Sequence, residues 1–570
     1  MKTRLPLLSL VCLLGLAACK PAPEESASSA ENTAPAPAPV SLEDAKPTID
    51  LERMMESIVE LSSDAYGGRE PMSEGERLTL EFLETRFQAM GLEPLFGDSF
   101  RQPVELVSIE ADPKTIQMTF HMDGKDRFVK YEDEMVAGTR RVVPESRVET
   151  SDIVFVGYGI VAPEFGWDDY ADVDVRGKTV LILVNDPGFA TRDPSLFKGK
   201  AMTYYGRWTY KYEEAARQGA AAAIIIHDTA PAAYGWEVVR NSWTGPQFHL
   251  HRDNDNMDRA AIESWIQKPV AEELIEASGL NLAELQQAAL SPEFKAIELG
   301  STMDASVENQ IIRKQSYNIG AVLPGSERPE ELFVYTAHWD HLGTDLSVPE
   351  GTDGIYNGAM DNASGVAGLM ELAWSYSALP RAPARSVAFL AVTAEESGLL
   401  GSAYYASNPA VPMNQTVGGI NMDSLMIYGP TNDVVVVGYG SSELEDILIL
   451  EAGKQDRIVK PEEHPERGGY YRSDHFNFAR KGVPMLYAKA GSDHMELGPE
   501  YIKEKGAYFL KNRYHTALDE IGDDWDLRGA GQDLEMYFGI GLEVADGEQW
   551  PEWYEGNEFR AVREQSLKSP

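Results

Sequence analysis

The chain has 570 residues, 43% hydrophobic and 25% charged, with Gly 49 and Pro 33; this is a globular composition with enough apolar residues for a sizeable core, which excludes wholesale disorder and a single small binding module. Lys plus Arg total 50 against 91 for Asp plus Glu, and a net charge of −41 repels a phosphate backbone, so no nucleic-acid partner is expected. The 2 cysteines, Cys12 and Cys19, form no CxxC pair and no disulfide framework, so any metal must be held by His and carboxylates.

Lys2 and Arg4 precede an apolar run from Leu5 to Ala18, and the small residues Gly15, Ala17 and Ala18 lead up to Cys19. The run is shorter than the roughly 20 residues that span a bilayer, so residues 1–18 are an expected export signal. Leu16-Ala17-Ala18-Cys19 resembles the lipobox of bacterial lipoproteins. That resemblance implies cleavage before Cys19, lipid on its sulfur and attachment to a membrane; Lys20 rather than Asp at the next position implies the outer membrane, facing the periplasm or the surface. Residues 19–47 are rich in Pro, Ala, Ser and Glu with few large apolar side chains, and read as a disordered tether.

Leu51, Met54, Met55, Ile58 and Leu61, then Leu78, Phe82, Leu83, Phe87 and Met90, recur at helical spacing around Gly67-Gly68 and Pro71, predicting two helices. Residues 104–156 are expected to be mostly strand. Strands are then expected at Ile153–Val156, Thr179–Val184 and Ala221–Ile226, with a helix near Tyr205–Gln218. Beyond Asn318 apolar strands alternate with helices: 332–337 then 364–378, 387–393 then 399–407, 417–422, and 484–488. That order predicts an α/β fold, a mostly parallel mixed sheet sandwiched by helices. No internal repeat is evident.

Several motifs fail on their context. Gly157-Tyr158-Gly159-Ile160-Val161-Ala162 fits a dinucleotide fingerprint, but Pro163 and Gly166 stand where its helix should start, leaving a glycine turn. Gly177-Lys178-Thr179 lacks the first glycine of a phosphate loop, Asp172 standing there. No Ser sits in a nucleophile elbow, and no His is followed by Glu as a helical HExxH site requires. Ser473-Asp474-His475 has triad residue types, but adjacent residues cannot form the relay.

One constellation succeeds. His338 and Asp340 end the strand at 332–337, Asp361 opens the helix at 364, Glu395 and Glu396 end 387–393, Asp423 ends 417–422, and His515 follows the last strand. The carboxyl ends of strands in an open α/β sheet share one crevice, so five segments deliver imidazole and hard oxygen ligands to one place. Each feature alone is weak, since an Asp before a helix is usually a cap and paired Glu are usually solvated. Side chains of consecutive residues near a strand end point apart, so Glu395 and Glu396 should differ in role. Asp340 can reach the second ring nitrogen of His338. His341 is expected to be a surface or loop histidine.

At these positions the strings TAHWDHLG, GAMDNASG, TAEESGLLGS, NMDS and YHTALDE closely resemble the co-catalytic zinc exopeptidases of the bacterial leucyl aminopeptidase and glutamate carboxypeptidase II type. The resemblance covers about 50–100 and 315–545. It implies two zinc ions per chain, with His338 and Asp423 on one, Glu396 and His515 on the other, Asp361 bridging, Glu395 as general base and Tyr514 stabilising the oxyanion. The stretch 151–183, with YKYEEAARQGAAAAIIIHD after it, looks like the protease-associated insert of several such enzymes, and implies a β-rich insert with no chemistry, so His227 and Asp228 are given no role. The helical stretch Ala260–Leu290 is less typical of it.

The expected organisation is a signal at 1–18, a tether at 19–47, a catalytic part at 48–130, the protease-associated insert at 131–300, a second catalytic part at 301–555 and a tail at 556–570. The expected function is a zinc aminopeptidase acting on peptides. A carboxypeptidase or dipeptidase uses the same metals and differs in what grips the free terminus, for which Arg467, Arg472 and Arg513 are candidates. Glutaminyl cyclisation on a related fold needs one zinc. A surface binding lipoprotein would have lost a ligand or the base, and none is missing.

Overall fold

The computed structural model describes residues 41, 42 and 45–568; the export signal, Cys19 and most of the tether lie outside the described residues. Leu42 is 2% exposed and sits in the main core with Met54, Ile58 and Leu83, so the folded part starts before Pro47, where the tether was expected to end. The backbone N–H of Thr48 donates to Ser375 Oγ and that of Asp50 to Glu371, tying this segment to the helix Gly365–Ser377. The helices Leu51–Leu61 and Glu74–Ala89 are capped by Asp50 and Ser73, whose side chains accept from backbone N–H groups of the first turn.

The sheet of the second part runs, in spatial order, Met485–Leu486, Thr416–Asn421, Arg328–His338 and Arg385–Val392, all parallel, and then the antiparallel second half of Ile297–Leu323. Both faces are covered: Phe333, Tyr335 and Phe389 meet the helices Gly365–Ser377 and Arg528–Asp546, whereas Leu332, Val334, Leu390 and Tyr405 form a second cluster beyond the sheet. This explains the nearly unbroken apolar run in each of these strands. Glycine is required at 541, where an added Cβ would fall 1.8 Å from Tyr335 Oη.

Ile297–Leu323 is one continuous strand of 27 residues shared by both bodies. Its first half pairs with Glu145–Phe155, next to which Thr179–Leu183, Ala222–His227 and Ile262–Gln267 lie in parallel. Gln117–Met122 also pairs with the first half, at Thr302–Ser306, and with Lys125–Phe128. The inserted body is therefore wider than 131–300: it takes in 117–128 and residues as far as Glu308, because pairing rather than chain order decides membership. The segment expected as a tail, 556–570, instead carries the helix Arg560–Lys568; Phe559 and Arg563 are buried, and Arg563 donates to the carbonyls of Met413 and Thr416. Among the described residues no helix is long and apolar enough to cross a membrane.

Candidate active site

The parallel strands end at one crevice, and each end turns sharply. His338 is the last residue of its strand, Asp423 follows Asn421 by two positions, and Ala394, at φ 52°, reverses the chain after Val392 so that Glu395 and Glu396 swing inward. Asp361 lies in the irregular turn ahead of the helix Gly365–Ser377. Gly358, at φ 56°, admits no side chain, since a Cβ would stand 2.3 Å from the Asp361 carbonyl and 2.6 Å from the His341 ring.

Asp361 is central. Its Oδ1 is 3.3 Å from His338 Nε2 and its Oδ2 is 3.4 Å from His515 Nε2, so the two oxygens face different imidazoles. His338 Nε2 also lies 3.9 Å from Asp423 Oδ1, and His515 Nε2 lies 3.1 Å from Glu396 Oε2. His338 Nδ1 stands 3.2 Å from the Asp340 carbonyl, which can only accept; Nδ1 therefore carries a proton, and Nε2 is the nitrogen that faces Asp361 and Asp423. His515 Nε2 is buried and, for all its nearness to two carboxylates, makes no hydrogen bond of acceptable geometry.

Buried carboxylates gathered around two imidazoles need positive charge among them. Bond lengths of about 2.0–2.2 Å at a tetrahedral ion put neighbouring ligands about 3.3–3.6 Å apart; Asp361 stands at that distance from both imidazoles, while Asp423 and Glu396 lie at 3.9 Å and 3.1 Å from theirs. The donor set thus fits a divalent metal. Its electrostatics agree: burial opposes charge on His338 and His515, but the surrounding carboxylates raise both, His515 to about 10. Asp361 and Asp423 are held below the usual carboxylate range against the cost of burial, by His338 in both cases and by His515 for Asp361. Burial pushes Glu395 well up, and the charge of Glu396 adds to the rise.

Asp340 is placed differently from the expectation. The N–H of His338 goes to its carbonyl, whereas the carboxylate, 3.9 Å from Nδ1, accepts from the backbone N–H groups of Glu395 at 3.1 Å and Glu396 at 3.4 Å. It anchors the Glu395–Glu396 turn. Tyr514 stacks on His515 with ring centroids 3.8 Å apart, and its phenol is raised by burial first and then by the charges of Asp361 and Glu396. His341 is no surface residue: it is 1% exposed, and its Nδ1 donates to Glu396 Oε1 at 2.7 Å.

Three further residues escaped the sequence reading. Asp519 accepts from the backbone N–H groups of Met360 and Asp361, orienting the central carboxylate. Its signal was available, since it lies within YHTALDE. Tyr487 donates to Asp423 Oδ2 at 3.2 Å. Arg69 is 1% exposed and donates to the carbonyls of Leu61, Trp339, Asn357 and Gly358, clamping together the turns that bear His338 and Asp361. No pattern in the chain pointed to it. Of Ser473-Asp474-His475, Ser473 accepts from Asn421 Nδ2 and Asp474 from Ser402 Oγ, so they form no triad with His475.

Residues 318–537 match the model of peptidase family M28. A probable zinc metalloprotease of Pyricularia oryzae is 42% identical over 89 residues, 16% of this chain and 17% of that protein. Leupeptin-inactivating enzyme 1 of Streptomyces exfoliatus is 29% identical over 208 residues, 36% of this chain. The chain thus spans less than half the length of either relative, 17% and 43%. Among solved structures, an aminopeptidase from Aneurinibacillus sp. strain AM-1 aligns over 87% of this chain and 94% of its own at 19% identity, with a TM-score of 0.46.

Proposed function

We propose that the protein is a zinc-dependent aminopeptidase that holds two zinc ions and releases N-terminal residues from peptides. The observation that carries this is Asp361, whose two oxygens face two different imidazoles. His338, Asp361 and Asp423 would hold one ion, and Asp361, Glu396 and His515 the other, with His341 fixing the Glu396 carboxylate through its Nδ1–H. When bound, such a pair polarises the scissile carbonyl and acidifies a water. Glu395 takes the proton of the attacking water as its oxygen bonds to the carbonyl carbon, and returns it to the leaving nitrogen as the C–N bond breaks; one water is consumed. Tyr514, braced by His515, is the donor for the developing oxyanion. The inserted body is a protease-associated domain that shapes access to the cleft. The chain is a lipoprotein held at the outer membrane through Cys19, its active site facing the periplasm or the surface.

Elemental analysis of dialysed protein tests the metal reading, with close to two zinc ions per chain expected and no tightly held divalent metal refuting it. Hydrolysis of aminoacyl amides but not of N-blocked peptides is the expected specificity; the reverse would make the protein a carboxypeptidase.

A further inference from the structure

Behind Asp423 stands a phenol. The Oδ1 of Asp423 faces His338 Nε2 at 3.9 Å and accepts from the hydroxyl of Ser424 at 3.2 Å, whereas its Oδ2 accepts from Tyr487 Oη at 3.2 Å. A carboxylate with one oxygen tied to a fixed donor offers the other to an ion in a set direction, and such outer partners govern how firmly a metal is held. Tyr487 is buried and follows the strand Met485–Leu486, which lies beside the strand leading to Asp423.

A column of rings holds this phenol in place. The Tyr487 ring lies 4.5 Å, centroid to centroid, from that of His475, which is fully buried; neither nitrogen of His475 has a hydrogen bond of acceptable geometry, so ring contacts hold its side chain. Tyr470 packs on the same imidazole, again at 4.5 Å. Gly438, at φ 77°, makes room for it, since an added Cβ would fall 2.3 Å from the Tyr470 ring. Tyr471 lies 5.4 Å from Tyr470 and 5.3 Å from Phe476, and Phe476 lies 5.0 Å from Tyr204 of the inserted body. Tyr204 is fixed in turn: its phenol donates to Glu213, which also pairs with Arg480 at 2.7 Å, and the Arg480 guanidinium lies 5.2 Å over the Tyr204 ring. Aromatic rings at these separations are in contact, and a close-packed interior passes a displacement from one ring to the next. We propose that Tyr487 is a positioning residue that fixes Asp423 on the ion of His338, Asp361 and Asp423, and that the inserted body braces it through this column. This rests on the two-zinc reading above and gives the inserted body a share in holding the metal.

The test reads metal binding rather than turnover: zinc affinity of the stripped and reloaded protein, by competition with a chromophoric chelator. Tyr487→Phe keeps the ring and its contacts and removes only the O–H; it should weaken one of the two ions by about ten- to hundredfold and leave the other unchanged. In an Asp423→Asn background the same change should add nothing, which identifies the ion. Tyr204→Leu, remote from every proposed ligand, should weaken that same ion by about two- to thirtyfold, and by less once Tyr487 is already Phe. Equal affinities in wild type and Tyr487→Phe, or a lower urea midpoint of the stripped protein with zinc binding intact, overturn the positioning role. Full zinc affinity in Tyr204→Leu overturns the bracing by the inserted body. A wild type that binds no zinc overturns the metal reading itself and this proposal with it, whereas a wild type with two ions and variants equal to it overturns the proposal alone.

Discussion

At the scale of single residues, the test of the mechanism separates Glu395 from its neighbour. Glu396 is bound on one side by His341 and faces His515 on the other, whereas the backbone N–H of Glu395 is fixed by Asp340 and its carboxyl is left to carry protons. Glu395→Gln should lower kcat by about 10²–10⁴-fold while zinc content and KM change little. Glu396→Gln should lose activity together with one zinc ion, and added zinc should restore part of it. Metal analysis beside steady-state kinetics distinguishes the two, and an exchange of the two phenotypes would mean that the roles are exchanged. The residue-level errors have a common cause. His341 and Asp340 stand in one short turn, and the direction of a turn side chain depends on what packs around it, here Glu396 and the backbone N–H groups of residues 395–396.

At the scale of elements, the helix Arg560–Lys568 is docked by one side chain. Arg563 donates to the carbonyls of Met413 and Thr416, just before and at the start of the strand Thr416–Asn421. Arg563→Ala strands the buried carbonyl of Thr416 and frees the half-buried one of Met413, and should cost about 1–3 kcal/mol, read as a lower urea midpoint with activity kept in the absence of denaturant. In the inserted body, the glycine turn at 157–159 leads to Ile160, whose N–H donates to Asp169, and Trp167 Nε1 donates to the same carboxylate. Burial raises Asp169 to about 7. Between about 3.9, the unfolded value, and that figure the folded chain keeps a proton that the unfolded chain has released. The contribution of Asp169 to stability is therefore full below that window and declines as pH rises through it, by at most about 1.4 kcal/mol per pH unit. Urea midpoints at pH 5, 6 and 7 should show the advantage of the wild type over Asp169→Asn shrinking with pH; a constant difference would contradict this.

At the scale of the whole molecule, the proposed export signal and lipid anchor at Cys19 carry a prediction of where the protein is found. Expressed in a bacterium, the wild type is expected to fractionate with the outer membrane, and Cys19→Ser to lose the acyl mass and the membrane association. Mass spectrometry of the two fractions checks this, and retention of the mutant in processed form would end the anchor reading. The strand Ile297–Leu323 runs through both bodies, and they are tied further by the pairing of Arg101–Ala111 with Gln247–Leu250 and by ion pairs at 198–213, so they meet along a seam rather than through a flexible linker.

The sequence by itself determined the α/β class, the parallel strands and the set His338, Asp361, Glu395, Glu396, Asp423 and His515 from which the site is built. Apolar runs buried on both faces, and acids and histidines placed just after them, are local patterns that survive in one dimension. Tertiary structure decided what depends on contacts between distant segments. Residues 117–128 join the inserted sheet only through pairing with 302–306, and Arg69 is drawn into the site by carbonyls as far away as residue 358. Which oxygen of Asp361 faces which imidazole, and which rings stack behind Asp423, are likewise properties of side chains converging from separate elements, and hydrophobic periodicity carries no record of them.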